Sequence, residues 1–132
     1  MIVIHHKTYK LLYVEDNPAN LKLLERIVKR HTPFAFITAT DGQSGVDKAR
    51  NELPDLIVLD IELPVMDGWE AFALLQSTPC TAQIPVIALS ANARKEDIEK
   101  GLKAGFMHYL TKPVDVPSFI QLLHQILPAP LD

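Results

Sequence analysis

Asp55-Leu-Ile-Val-Leu-Asp60 is a continuous apolar segment with a carboxylate at each end. A run of this kind is typical of a strand that is buried on both faces, in the middle of a parallel sheet. Asp60 follows the last apolar residue, so the strand would place this carboxylate at the carboxyl edge of the sheet. Ligands of open α/β folds bind at that edge. The segment therefore predicts both a central strand and a functional site at its end.

Strand-like and helix-like segments alternate along the rest of the chain. Apolar runs predict four further strands, at residues 10–14, 34–38, 86–89 and 107–111. Apolar residues at helical spacing predict five helices, with boundary signals at Asn17-Pro18, Asp41-Gly42 and Gly105. Strands that alternate with helices favour right-handed βαβ units and a parallel sheet. A closed eight-stranded barrel needs about 250 residues. We therefore predict an α/β fold, a (βα)5 doubly wound five-stranded parallel sheet with flavodoxin-like order 2-1-3-4-5.

Composition indicates one globular domain and excludes several classes of function. The 132 residues are 48% hydrophobic and 22% charged, as is usual for a soluble protein. A net charge of −3 provides no field for direct nucleic-acid binding, and the apolar start of the chain is too short for a membrane span. The single Cys80 excludes an internal disulfide and fits a reducing compartment. We expect one cytoplasmic domain over residues 1–132, with a core at about 9–127, an extension at 1–8 and a tail at 128–132.

Polar residues with complementary chemistry end the predicted strands. Glu15 and Asp16 follow the first strand, Ser90 ends the fourth, and Lys112 follows the fifth. In the predicted order the first and third strands are neighbours about 4.8 Å apart, so their three carboxylates, including Asp60, would converge. Three close carboxylates repel one another unless a cation is present. Oxygen ligands with room for water suit Mg²⁺, so the sequence predicts a magnesium site at this edge.

The same edge has the groups that phosphoryl transfer requires. An aspartate beside Mg²⁺ can act as a nucleophile toward phosphorus and form an aspartyl phosphate. Transfer also requires neutralisation of the charge on the transferred oxygens. Lys112 would supply a positive charge there, and the Ser90 hydroxyl would donate a hydrogen bond. Asp60 is therefore the candidate nucleophile.

Four motifs, in this order and at these spacings, resemble those of two-component response-regulator receiver domains (CheY-like). They are Tyr13-Val-Glu-Asp-Asn17, Leu59-Asp-Ile-Glu-Leu-Pro-Val-Met-Asp-Gly68, Ala88-Leu-Ser-Ala-Asn-Ala93 and Tyr109-Leu-Thr-Lys-Pro113. The resemblance covers about residues 9–127. It implies a phosphorylation-activated protein that is not a classical enzyme, although it would catalyse its own phosphorylation from a phosphodonor and its slow dephosphorylation.

The resemblance also implies how the metal and the phosphoryl group are held. Asp60 would be the phosphoacceptor, and Asp16 and Asp60 would ligate Mg²⁺ directly, with Mn²⁺ as an alternative ion. Glu15, which stands where aspartate is common, would act mainly through bound water. The backbone carbonyl of Glu62 would complete the protein ligands. Lys112 would pair with the phosphoryl group, and its peptide bond to the following proline would be cis.

A switch and two partners follow from the same resemblance. Ser90, which stands where threonine is frequent, would be the switch hydroxyl, and Tyr109 would be the aromatic switch that rotates inward once Ser90 moves. Glu62, Ala91 and Asn92 would border the phosphorylation pocket, where Glu62 and Asn92 would tune hydrolysis. A sensor histidine kinase or histidine phosphotransfer protein would supply the phosphoryl group. An unidentified output protein would bind the face formed by helix four, strand five and helix five.

Several alternatives remain open. The short tail after the fifth helix predicts a stand-alone receiver without an output domain, but the Glu-Asp-Asn motif also resembles receivers of hybrid histidine kinases. A Mg²⁺-dependent phosphohydrolase is an alternative of another class, because such enzymes commonly have a second acid two residues after the nucleophile, where this chain has Glu62. No glycine-rich nucleotide-binding motif occurs, and no phosphate-binding loop of a flavodoxin-like cofactor binder follows the first strand.

Overall fold

The computed structural model describes residues 8–128, which form five strands that alternate with five helices. The strands are β1 (Lys10–Val14), β2 (Ala35–Ala39), β3 (Leu56–Asp60), β4 (Val86–Ser90) and β5 (His108–Thr111). The helices are α1 (Pro18–His31), α2 (Gly42–Glu52), α3 (Gly68–Ser77), α4 (Lys95–Ala104) and α5 (Val116–Ile126). Residues 1–7 of the predicted extension and residues 129–132 of the predicted tail lie outside the described residues.

All neighbouring strands are parallel, in the order β2-β1-β3-β4-β5. The predicted doubly wound, flavodoxin-like fold is therefore confirmed. β3 lies at the centre of the sheet, and each of its five residues is buried. Its sequence consists of apolar residues up to the final aspartate because helices cover both faces of the sheet.

Side chains of the central strand alternate between two cores, one on each face of the sheet. Ile57 and Leu59 belong to the core under α2 and α3, which includes Val46 and Phe72. On the opposite face, the neighbouring residues of β3 belong to the core under α1 and α5, which is built from the buried residues Leu24, Val28, Phe119 and Leu123. The two cores fix the sheet between its helices and thereby fix the carboxyl edge, where the polar residues lie.

Short polar side chains set the beginnings of four helices. Asn17 accepts a hydrogen bond from a backbone N–H in the first turn of α1, and Asp41, Asp67 and Asp115 do the same for α2, α3 and α5. Such caps satisfy backbone N–H groups that have no partner within the helix. Gly105 ends α4 with φ of 117°, a left-handed conformation that glycine adopts without strain. The boundary signals predicted from the sequence are thus confirmed.

No helix within residues 8–128 combines the length and the apolar character that crossing a membrane requires.

Candidate functional site

Parallel register brings the ends of four strands to one edge of the sheet. The pairing of β1 with β3 ends at Val14 and Leu59, so Glu15 and Asp60 follow at the same level. The pairing of β4 with β5 aligns Ser90 with the residue immediately before Lys112. Every polar residue that the sequence places at a strand end therefore lies at the same edge.

Three carboxylates converge at this edge. Glu15, Asp16 and Asp60 each offer an oxygen, and these oxygens lie within 4.8 Å of one another. Glu15 and Asp60 are almost completely buried, at 1% and 2% exposure, whereas Asp16 is exposed. The cluster therefore has a dry side on the sheet and a side open to solvent at Asp16.

Lys112 lies between the two buried carboxylates. Its Nζ is 2.7 Å from Glu15 Oε1 and 3.2 Å from Asp60 Oδ1. The peptide bond between Lys112 and Pro113 is cis, as the sequence motif implied. One ammonium group thus neutralises part of the charge of two acids that have little access to water.

Glu15 is held by neutral donors as well as by the lysine. The Tyr13 hydroxyl donates to Glu15 Oε1 over 3.1 Å, and Asn20 Nδ2 donates to the same oxygen over 2.9 Å. The backbone N–H of Asp16 donates to Glu15 Oε2 over 3.1 Å. Sequence reasoning missed Tyr13 and Asn20. The signal for Tyr13 was present, because residues two apart on a strand point to the same face. The role of Glu15 through bound water stays a prediction.

The Glu62 side chain connects the end of β3 to the end of β4. Ser90 Oγ donates to Glu62 Oε2 over 2.7 Å, and the backbone N–H of Ala91 donates to Glu62 Oε1 over 2.6 Å. The Glu62 backbone N–H donates to Asp60 Oδ1 over 3.1 Å. Ser90 Oγ in turn accepts from the backbone N–H of Asn92 over 3.0 Å. The residues that the sequence placed around the pocket, Glu62, Ala91 and Asn92, therefore lie together with Ser90.

Comparison with known proteins assigns the chain to a family. The family model described as the response regulator receiver domain matches residues 11–124. The chain belongs to this family. Its sequence is 36% identical over 120 residues to the polar-differentiation response regulator DivK of Brucella ovis, a match that covers 91% of this chain and 97% of the relative.

Solved receiver structures have the same fold. The receiver domain of sensor histidine kinase PA1611 from Pseudomonas aeruginosa, described with a magnesium ion coordinated in its active-site cleft, is 31% identical with a TM-score of 0.82. That match covers 93% of this chain and 100% of the other. The chemotaxis protein CheY4 of Vibrio cholerae is 22% identical with a TM-score of 0.82, over 91% of this chain and 99% of the other, and supports the fold alone.

Receivers are signalling domains of two-component systems. In this receiver, burial and mutual contact shift the pKa values of Asp60 and Glu15 in opposite directions. Burial, together with the hydrogen bond and charge of Glu15, raises the pKa of Asp60 from its usual 3.8 to about 7, although Lys112 opposes the rise. Burial also acts to raise the pKa of Glu15, but the hydrogen bonds from Asp60 and Lys112 outweigh it and lower that pKa. Of the two buried acids, Asp60 is therefore the one that takes up a proton first as the pH falls.

The donor set of the receiver fits a hard divalent cation. Glu15, Asp16 and Asp60 carry three formal negative charges when ionised, and Lys112 supplies one positive charge. A cation beside Asp60 would replace its proton and lower the repulsion between the carboxylates. Carboxylate oxygens on an edge open to solvent are the ligands that Mg²⁺ prefers, since this ion keeps several of its waters.

Tyr109 of β5 lies inward, at 7% exposure, on the same face of the sheet as Ser90, because it pairs with Ala88, two residues before Ser90. Its ring centroid is 5.9 Å from that of Trp69 and 6.1 Å from that of Phe106. Gly101 of α4 gives the ring its space, because a Cβ at this position would clash with Tyr109 Cδ2. The ring fits in this inward position because residue 101 of α4 has no side chain. The predicted movement of Tyr109 on phosphorylation stays a prediction.

Proposed function

We propose that this receiver accepts a phosphoryl group on Asp60 with the help of Mg²⁺ and thereby changes the surface formed by α4, β5 and α5. The main observation in support is the contact of one ammonium group, that of Lys112, with the Asp60 carboxylate inside a cluster of three acids. A buried carboxylate with a cation on one side and metal ligands on the other is suited to covalent phosphoryl transfer.

The donor would be the phosphohistidine of a sensor histidine kinase or of a histidine phosphotransfer protein. An oxygen of Asp60 attacks phosphorus, the P–N bond to histidine breaks, and the imidazole leaves with the bonding electrons. Asp60 must be ionised for this attack, and a cation held beside it would favour the ionised form. Lys112, already 3.2 Å from Asp60 Oδ1, neutralises charge on the transferred oxygens.

Asp16 and Asp60 would hold Mg²⁺ directly, the backbone carbonyl of Glu62 would be a third protein ligand, and Glu15 would act through water. Mn²⁺ would fit the same oxygen ligands. Bound there, the ion supplies charge neutralisation to the transferred phosphoryl oxygens. The magnesium ion coordinated in the active-site cleft of the PA1611 receiver supports this choice of ion.

The switch would couple the phosphoryl group to an output protein. Ser90 and Lys112 would bind the phosphoryl oxygens, and the movement of Ser90 would favour the inward position of Tyr109, which would shift the population of surfaces presented by α4, β5 and α5. The partners we propose are proteins, with no direct contact to nucleic acid or membrane, and we place the exchange in the cytoplasm. Kinship with DivK supports a stand-alone receiver, and kinship with the PA1611 receiver supports a receiver within a hybrid kinase.

Labelling with radioactive acetyl phosphate and Mg²⁺ tests the proposal. We expect one labile acyl phosphate per chain, which borohydride reduction and mass spectrometry would locate at residue 60. Asp60→Asn should abolish the label, whereas Asp47→Asn, an exposed aspartate of α2, should leave it unchanged. Undiminished labelling of Asp60→Asn would reject Asp60 as the acceptor. Repeated turnover of phosphomonoesters would support the phosphohydrolase alternative instead.

A further inference from the structure

The carboxylate of Glu62 lies on the hydrogen-bond donors at the end of β4. Its two oxygens take one donor each, Ser90 Oγ at 2.7 Å and the Ala91 N–H at 2.6 Å. Both contacts are short, as expected for hydrogen bonds to an ionised acceptor. Glu62 itself is exposed and lies in the loop after β3, so its side chain can leave these donors for solvent.

The same donors lie at the end of β4, the strand next to the one that carries the acceptor carboxylate. Asp60 ends β3, and the register of β3 against β4 aligns it with Leu89, immediately before Ser90. The Glu62 N–H also donates to Asp60 Oδ1 over 3.1 Å. A phosphoryl group on Asp60 would therefore find two neutral donors of the adjacent strand end, the Ser90 hydroxyl and the Ala91 N–H, already bonded to another anion.

A hydroxyl and a backbone N–H have one proton each, so a donor given to Glu62 is withdrawn from the phosphoryl group. We propose that the Glu62 carboxylate is an internal competitor of the phosphoryl group: it occupies the Ser90 and Ala91 donors in the unphosphorylated receiver and must leave them when Asp60 is phosphorylated. This inference rests on the function proposed above and adds a control of the same site. While Glu62 holds Ser90, the hydroxyl stays on the strand next to the buried Tyr109, so the internal anion would also affect the position of this ring.

Beryllofluoride, a mimic of the phosphoryl group, provides the binding test. With Mg²⁺ present, Glu62→Gln should bind beryllofluoride roughly tenfold more tightly than wild type, because the loss of one or two competing hydrogen bonds is of this order. Glu62→Asp keeps the charge but is one methylene too short to span both donors, so it should also bind more tightly. Glu70→Gln, an exposed glutamate in the first turn of α3, is the matched control and should bind like wild type.

The pair of substitutions separates competition from simple repulsion. If only Glu62→Gln gained affinity and Glu62→Asp behaved like wild type, the negative charge alone would be responsible and the proposal would be overturned. Equal affinity of all four chains would overturn it as well. Absence of beryllofluoride binding in every chain, wild type included, would refute the proposed function itself.

A second measurement needs neither the metal nor the phosphate mimic. The short hydrogen bond to Glu62 should move the Ala91 amide proton downfield in the NMR spectrum of the wild type, and Glu62→Gln and Glu62→Asp should each move it upfield. Trp69, the single tryptophan of the chain, lies 5.9 Å from Tyr109, so its fluorescence should change in the same two variants. An Ala91 amide shift identical in wild type and both variants would show that Glu62 does not hold this donor.

Discussion

Replacing Asp60 by asparagine should stabilise the metal-free fold, and more so at high pH. Asp60 is 2% exposed and shares its site with Glu15 and Asp16. Asparagine has nearly the same shape, can still accept the Glu62 N–H at its side-chain oxygen, and leaves Lys112 paired with Glu15 at 2.7 Å. The substitution therefore removes the charge and little else.

The magnitude follows from the raised pKa of Asp60, about 7 against its usual 3.8. Between these values the folded protein holds a proton that the unfolded chain has lost, so the stabilisation from this group is fully present below about pH 4 and disappears as the pH rises through 7. From pH 5 to pH 8 about two pKa units of this window are crossed, which corresponds to about 3 kcal/mol. Glu15 takes up part of the shared charge, which reduces this effect. We therefore expect the free energy of unfolding of Asp60→Asn, relative to that of the wild type, to rise by about 1–3 kcal/mol from pH 5 to pH 8.

Urea unfolding in the presence of a chelator, monitored by circular dichroism, measures this difference in the free energy of unfolding directly. Wild type and Asp60→Asn are each unfolded at pH 5 and pH 8, and the double difference cancels every group that titrates alike in both. Asp41→Asn is the control, since hydrogen bonds from Ser44 keep the pKa of this exposed carboxylate below its usual value and outside the range measured. Parallel pH profiles for wild type and Asp60→Asn would show that Asp60 is already ionised at pH 5 and would refute the reasoning.

Three further predictions concern the backbone and the metal. Gly101→Ala should destabilise the fold by about 1–3 kcal/mol, because the new Cβ meets the Tyr109 ring, and an increase in the unfolding midpoint would contradict this packing. Val65 is fully exposed with φ of 67°, so Val65→Gly should raise the free energy of unfolding by about 0.5–1 kcal/mol, whereas Val65→Ala, which keeps the Cβ, should not. Below pH 7, the Mg²⁺ affinity measured by calorimetry should increase about tenfold for each unit by which the pH is raised, because Asp60 must lose its proton before the ion binds. An affinity independent of pH would show that Asp60 carries no proton in this range.

The fold could be predicted from sequence because β3 is so uniformly apolar that only a central parallel strand fits it. The limits of the strands were less certain, and β2 shows why. The sequence predicted a start at Phe34, which is apolar and buried at 7%. In the structure its N–H donates to the Thr32 hydroxyl instead of a neighbouring strand, and β2 begins at Ala35. Hydrophobicity indicates which residues are buried but not which ones pair with a neighbouring strand. At Phe34 the two differ, because this residue is buried but lies one position before the strand.

The polar edge was predictable for a topological reason. Once the strand order is known, residues that end parallel strands must lie together, whatever their side chains do. Loop geometry is different, since the Glu62 side chain reaches Ser90 across 28 positions of sequence. No periodicity indicates this contact. The packing of Tyr109 against Gly101 was equally hidden, because a helical glycine alone does not indicate which ring will occupy its space.

Glu15 explains how the site can release Lys112 to a phosphoryl group. Lys112 is closer to Glu15 than to Asp60, and a buried carboxylate that loses its cationic partner is strongly destabilising. Three neutral donors remain on Glu15 when the ammonium moves: the Tyr13 hydroxyl, the Asn20 amide and the backbone N–H of residue 16. They can hold the charge of Glu15 through hydrogen bonds alone. The contacts that sequence reasoning missed are therefore those that would free the lysine for its proposed task.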